Sequence, residues 1–383
     1  MEKTITRCDI AIAGGGLSGG LIALALAQRH PDRRVLLVDS DVRLGGNHLW
    51  SFFDSDVAPT DRWIIDPLIC HHWQGYDVRF PAHRRTLHAG YNSIASERLD
   101  AVIRATLPAD RIVQAEVVDL GPDYVSLADG RLLRAELVID ARGPGDLSHL
   151  SCGWQKFLGQ ALHVPAGHGL TRPIVMDATV DQIDGYRFVY CLPFDAETVF
   201  VEDTYYSDTP DLDVPTLRQR IAAYAQRQGW DVAATQREET GILPVIVGGN
   251  FTNYWNSTGQ DIGKSGLRAG LCQPVTGYSL PDAVRLASLL AARPDMDAAA
   301  LRAYAARIWG GRRYYRMLDA MLFHAAVPTQ RYRILERFYA LSEGLIGRFY
   351  AGQSTFIDKA RLLIGKPPVP IGRAIRAILE NWS

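Results

Sequence analysis

The first residues whose types and spacing suit chemistry are Gly14-Gly15-Gly16-Leu17-Ser18-Gly19, a G-x-G-x-x-G run, with Asp39 twenty residues beyond Gly19. This is dinucleotide chemistry. Gly14 permits a tight turn, Gly16 lets backbone approach a pyrophosphate, and Gly19 lets a helix pack closely on a strand. A helix opening at Leu17 and Ser18 offers free N–H groups to the phosphates. Asp39 stands where an acid accepts ribose hydroxyls. Gly16-Leu17-Ser18-Gly19-Gly20 also fits a G-x-S-x-G nucleophile elbow, but an elbow needs neither Gly14 nor an acid ending the next strand.

Those residues require a strand, a turn and a helix, and the flanking sequence supplies them. The spacing predicts a strand over Asp9–Ala13, a helix from Leu17 to about Arg29 ended by His30-Pro31-Asp32, and a second buried strand over residues 35–38. The uncharged stretch from Ile10 to Ala27 is long enough to suggest a membrane span, and its position after Lys3 and Arg7 mimics a signal peptide. The glycines cluster in the middle of it, so it reads as a βαβ unit. Neither a signal peptide nor a spanning helix is expected.

Composition narrows the class. The 383 residues are 47% hydrophobic and 22% charged, ordinary for a globular chain with a sizeable core. A net charge of -1 argues against wholesale nucleic-acid binding. Five scattered cysteines without a Cys-x-x-Cys support neither a disulfide framework nor a thiolate zinc site. His71, His72, His83 and His88 lack ligand spacing, and no metal is expected. The even charge hides an asymmetry: residues 301–383 carry 14 basic and 5 acidic side chains, a net of +9, leaving -10 for the rest. Such a basic, aromatic quarter suits contact with an anionic surface. Within it Ile334, Phe338, Leu341 and Leu345 recur on one helical face, flanked by Arg331, Arg333, Arg337 and Arg348. Residues 366–370 break the helix, and residues 371–382 predict a last basic one.

Later segments select the dinucleotide. The apolar run 137–143, ending in Asp140 and Gly143, resembles the second flavin-contacting strand of the glutathione-reductase-type FAD fold. A further glycine-rich loop, 263–270, leads through Pro274, Thr276, Gly277 and Tyr278 into a helix from Asp282. Its position suits closure over the middle of a cofactor, with Gly270 at the turn. A nicotinamide-only site would be complete within the first half of the chain, so FAD is expected. Gly45 and Gly46 form a turn followed by His48-Leu49-Trp50-Ser51-Phe52-Phe53, bulky groups that suit an isoalloxazine ring. Turn signals at 120–124 and 128–131 predict a β-hairpin between the Rossmann halves.

Four further segments, GGNHLWSFF (45–53), FVEDTYYS (200–207), GLCQPVTGYSLPDAVRLA (270–287) and GKPPVP (365–370), resemble the lycopene β-cyclases of carotenoid-making proteobacteria. So do residues 312–326 and 336–363 and their spacing, so the likeness covers nearly the whole chain. The resemblance implies a flavoprotein that converts lycopene to β-carotene through γ-carotene, without net redox change. It implies FAD in its reduced form, supplied by NAD(P)H. It also implies peripheral association with the cytoplasmic face of the bacterial inner membrane, alongside other carotenoid-pathway enzymes.

Such a reaction puts a proton on an unactivated double bond, closes a ring on the resulting carbocation and removes a ring proton. Glu202 and Asp203 lie in a run of strong β propensity, 198–205, so their side chains point to opposite faces. Only one enters an apolar pocket, where desolvation keeps it protonated. Carrying over the family's acidic motif assigns the general acid to Glu202, with Asp203 second. Glu239, of the pair Glu238-Glu239, is a candidate base, and Trp50, Phe52, Tyr205 and Tyr206 offer π faces to a cation.

The fold expected is α/β. Residues 1–70, 97–155 and 255–295 form a discontinuous FAD-binding domain, 71–96 and 156–254 a β-rich substrate region, and 296–383 a helical, membrane-facing part. An FAD-dependent monooxygenase or prenyl-chain reductase on the same fold, and a non-catalytic isoprenoid carrier, are the competing readings.

Overall fold

The computed structural model describes residues 5–364 together with 372, 373, 376 and 377. The N-terminal unit forms as its residues require. Strand β1 (Ile5–Ala13) buries Ile10 to Ala13 completely and pairs in parallel with β2 (Val35–Asp39). Between them α1 (Leu17–Arg29) buries nine residues, Leu17 and those from Gly19 to Leu26. Buried on both faces, these strands read as continuous apolar runs, the mark of a covered parallel sheet. The sheet continues through β3 (Leu132–Asp140), parallel to β1, and through residues 112–114, parallel to β2. The expected hairpin is present as two antiparallel strands, 117–120 and 124–127, on the β3 side.

A second, seven-stranded sheet forms the other half. Its order runs from β7 (Ala234–Gly249) through β4 (Leu150–His163), β6 (Thr198–Ser207) and β5 (Tyr186–Pro193) to residues 174–177, 76–79 and 84–87. Helix α2 (Val214–Arg227) covers one face, burying Leu217, Ile221, Tyr224 and Ala225 against it. Strand β4 runs unbroken through the boundary expected at residues 155–156 between the FAD-binding domain and the second segment of the substrate region.

Helix α3 (Leu280–Ala292) returns to pack beside α1 in the core of the first unit. The chain then runs through α4 (Arg313–Ala320), a π-helical turn at Met321–Ala325, α5 (Tyr332–Tyr339), α6 (Glu343–Tyr350) and α7 (Phe356–Leu363). The single face expected over 334–345 is divided, because α5 ends at Tyr339 and α6 starts after an extended Ser342. Arg331 is a second correction. Expected as surface charge, it is fully buried and donates to the carbonyls of Tyr206, Leu322 and Phe323 and to Asp208. The break expected at 366–370 lies outside the described residues, as does most of the last helix. Among the described residues no helix is long and apolar enough to cross a membrane.

Candidate active site

The glycine turn folds as its spacing requires. Gly14 adopts φ +108°, and a Cβ on Gly19 would lie 2.0 Å from the Gly14 carbonyl oxygen, so both positions exclude larger side chains. The Gly15 N–H donates to Asp39 Oδ2 (2.5 Å) and the Asp41 N–H to Asp39 Oδ1 (2.9 Å), which fixes the acid at the strand end. Around this turn opens a cleft of about 560 Å³. Gly14, Gly16, Leu17, Ser18, Asp39, Gly45, Gly46 and Gly143 all line it. Gly15 lies beneath the turn, where a Cβ would strike Leu44.

Two observations show that the cleft suits a bound dinucleotide. A Cβ on Gly16 would meet no protein atom within 4 Å, so the bare backbone there faces the cleft. Ser18, at the start of α1, has a buried hydroxyl without a partner. A buried orphan at a helix N-terminus suits a ligand's polar group.

Asp140 departs from expectation. It is fully buried and accepts from Arg142 Nε (2.9 Å) and Nη2 (3.1 Å), with Arg268 Nε at 3.6 Å. It therefore anchors two loops from behind, and their neighbouring residues Ala141, Gly143, Gly266 and Leu267 reach the cleft. Gly270 and Pro274 are buried beside that loop and do not line the cleft.

From the cleft a second cavity, about 150 Å³, runs along the second sheet, sharing Leu49, Trp50, Phe157, Leu243, Leu267 and Ser279 with it. Thr276, Gly277 and Tyr278, expected on the cofactor, line this cavity instead. Its walls carry Trp50, Tyr190, Tyr206, Tyr278 and Tyr350, and its one carboxyl is Glu202. Glu202 lies deep in the molecule and keeps some accessible surface because it faces the cavity. Burial pushes its carboxyl up to about 7, against the Thr204 hydroxyl, which donates to Oε1 (2.6 Å) and favours the ionised form.

Alternation along β6 sends Asp203 to the opposite face, under α2. There it accepts from Arg187 Nε (2.7 Å) and Nη2 (3.2 Å) and from the Tyr205 hydroxyl (2.6 Å). Asp203 therefore takes no part in the cavity, and neither does Tyr205, expected as a π face. Phe52 is fully buried in the first core rather than lining the cavity.

The strand register joins Glu202 to Glu239. Gly159 of β4 is opposite Glu202 on β6 and opposite Glu239 on β7, and Tyr190 of β5 is opposite Glu202. Directly opposed residues share a face, so Tyr190, Glu202, Gly159 and Glu239 form one row. A Cβ on Gly159 would lie 2.2 Å from the Phe200 ring, so only glycine lets that ring lie across the strand at this point of the row. Burial, with the Glu202 charge second, pushes Glu239 up to about 8, while Arg237 (3.5 Å) opposes the rise. Burial thus holds both carboxyls near their protonated forms around neutrality.

Sequence reasoning missed Gln155, Phe157 and Gly159. Their signal was the i, i+2 spacing on β4, which puts all three on the Glu202 face. Arg187 carried no local signal, because its link to Asp203 is a cross-strand diagonal.

Comparison with known proteins adds four findings. Residues 9–376 match a family model described as lycopene cyclase protein. The chain is 44% identical to a lycopene beta-cyclase of Pseudescherichia vulneris over 378 residues, covering 98% of each. It is likewise 44% identical to one from Pantoea ananas, covering 97% of this chain and 98% of that one. In fold it is similar to a probable FAD-dependent monooxygenase from Pseudomonas aeruginosa, at TM-score 0.58 and 17% identity, over 87% of this chain and 100% of that one.

Proposed function

The chain belongs to the lycopene cyclase family, and on that premise we propose that it is a lycopene β-cyclase, converting lycopene to β-carotene through γ-carotene. The observation that carries this reading is Glu202, a carboxyl held near its protonated form in an aromatic cavity that opens from the dinucleotide cleft. The cleft-lining residues from Gly14 to Ser18, with Asp39, Gly45, Gly46 and Gly143, would hold FAD, and Asp140 would position the loops behind it. When bound in its reduced form, replenished by NAD(P)H, the flavin supplies negative charge beside a cation with no net electron transfer.

The chain's own residues perform the remaining steps. Glu202 gives its proton to the terminal double bond of an acyclic end group, leaving a tertiary carbocation. Trp50, Tyr190, Tyr206 and Tyr278 present π faces to that charge, each worth up to about 2 kcal/mol where water is excluded. The neighbouring double bond closes the ring, and a ring proton departs to the carboxylate of the Glu202–Glu239 pair. Arg237 favours the ionised form at Glu239, which stands in the same row as Glu202 across the strand that carries Gly159. The aromatic walls exclude water that would otherwise trap the cation as an alcohol.

The testing experiment incubates purified, flavin-loaded protein with lycopene under reducing conditions. The expected product carries two β rings, and NAD(P)H is not consumed in proportion to it. Consumption matching product would point to a monooxygenase or reductase, and absence of any ring would end the cyclase reading.

The substrate dissolves in lipid, and the C-terminal part supports a peripheral membrane site. On α7, Phe356 (86%) and Ile357 (78%) are strongly exposed beside Arg361, with Arg373 and Arg376 also exposed. Apolar side chains rimmed by positive charge suit anionic headgroups. Replacing Arg373 and Arg376 with Ala is expected to reduce co-sedimentation with anionic vesicles, and unchanged sedimentation would remove this site. Lys366, which belongs with them in sequence, lies outside the described residues.

A further inference from the structure

We propose that Arg237 is a shared cation: held by Glu97 of the dinucleotide unit, it can be drawn across to Glu239, and so sets whether the acid in the Glu202 row carries charge. The inference deepens the cyclase reading, on which the part played by Glu239 rests. It makes Glu97 and Arg237 positioning residues that act through that acid.

An arginine carries five N–H donors in a fixed fork. Here one end of the fork is used. Nη1 donates to both carboxylate oxygens of Glu97, at 3.0 and 2.8 Å, while Nε and Nη2 are buried and make no hydrogen bond. Glu239 Oε2 is likewise buried without a hydrogen-bond partner, and it stands 3.5 Å from Nη2. Buried donors and a buried acceptor left unmet are costly, and a small turn of the guanidinium would satisfy both. What holds it back is the state of the two acids. The Glu97 side chain is 50% exposed and Glu239 only 2%. An exposed glutamate is ionised at neutrality and attracts the cation. Burial keeps Glu239 protonated there, and a neutral carboxyl attracts it little.

The two holders belong to different halves of the fold. Glu97 lies in the first turn of the helix Ser96–Thr106, which Leu99 and Ile103 fix in the first core. Arg237 and Glu239 are two apart on β7 and share a face. Leu49, whose backbone N–H favours the ionised Glu239, lines both the cleft and the cavity, so the contact sits where the two spaces meet. Glu202 and Tyr190 face Glu239 along the row. From the cleft, His48 is kept neutral by burial first and by the Arg237 charge second. Glu238 turns to the opposite face, where Arg218 and Gln160 hold it.

The test is a double-mutant cycle on the flavin-loaded protein. Infrared difference spectra against Glu239→Gln, taken in each background, follow the protonated Glu239 carboxyl through pH. With Glu97 and Arg237 in place the band is expected to fade past about 8. Glu97→Gln removes the competing carboxylate, leaves the cation to Glu239, and is expected to lower that midpoint by about one pH unit or more. Arg237→Gln is expected to raise it. With Arg237 already replaced, Glu97→Gln should add a much smaller shift, the direct loss of a half-exposed charge. Thermal melts establish that each variant is folded. An unmoved midpoint in Glu97→Gln, or an equal shift with and without Arg237, would overturn the proposal. The cycle needs no turnover, so wild-type protein that forms no ring would end the cyclase reading while these spectra still decide the Arg237 assignment.

Discussion

Glu202→Gln is expected to lower the rate of ring formation by about 10²- to 10⁴-fold, the usual weight of a positioned general acid, while the protein stays folded and keeps its flavin. The side chain sits deep in the cavity with its carboxyl raised to about 7, so below neutrality the substitution exchanges one largely neutral group for another of the same shape. The Thr204 hydroxyl that donates to Oε1 finds the same acceptor in the amide oxygen. An amide cannot release a proton to an alkene, so the chemistry goes while the packing stays. Product chromatography, flavin absorbance and a thermal melt report the three parts. Turnover within about tenfold of wild type would remove Glu202 from the acid role.

The adjacent acid should behave in the opposite way. Asp203→Ala is expected to cost about 3–5 kcal/mol of stability, because it strands the Arg187 guanidinium, whose side chain is only 4% exposed. The Tyr205 hydroxyl, which donates to the same carboxylate, loses its acceptor too. The molecules that remain folded should still cyclise, since Asp203 lies on the far side of the sheet from the cavity. Denaturant unfolding with activity per folded protein separates the two effects. A stable Asp203→Ala that is catalytically dead would mean the faces of β6 are assigned the wrong way round.

That pair also shows how much was legible in the sequence. β propensity over 198–205 and the period of a strand made it certain that Glu202 and Asp203 would part company. Which one faced the cavity came from the family's motif. What fixes it physically is Arg187, sixteen positions earlier on a neighbouring strand. The glycine turn, α1 and Asp39 could be read because a βαβ unit is local. Gly159 showed only its i, i+2 spacing from Gln155 and Phe157, because its place between Glu202 and Glu239 depends on the register of three strands. Asp140 looked like a cofactor contact because it ends an apolar strand beside a glycine. Two arginines, one of them 128 residues later, turn it into an internal anchor. In the C-terminal part, periodicity survived across the break at 340–342 because Phe338 and Leu345 pack in one core from two different helices. Charge counting failed for Arg331 because carbonyls left open by the irregular π-helical turn draw it inside.

The central claim is that Glu202 is a neutral acid when substrate arrives. Infrared difference spectroscopy of wild type against Glu202→Gln tests it most directly, through the C=O stretch of a protonated carboxyl. The account predicts such a band just below neutrality, absent from the variant and fading in wild type as pH rises past about 7. Wild-type and variant spectra that coincide in this region well below neutrality would mean that Glu202 is already ionised there and has no proton to give.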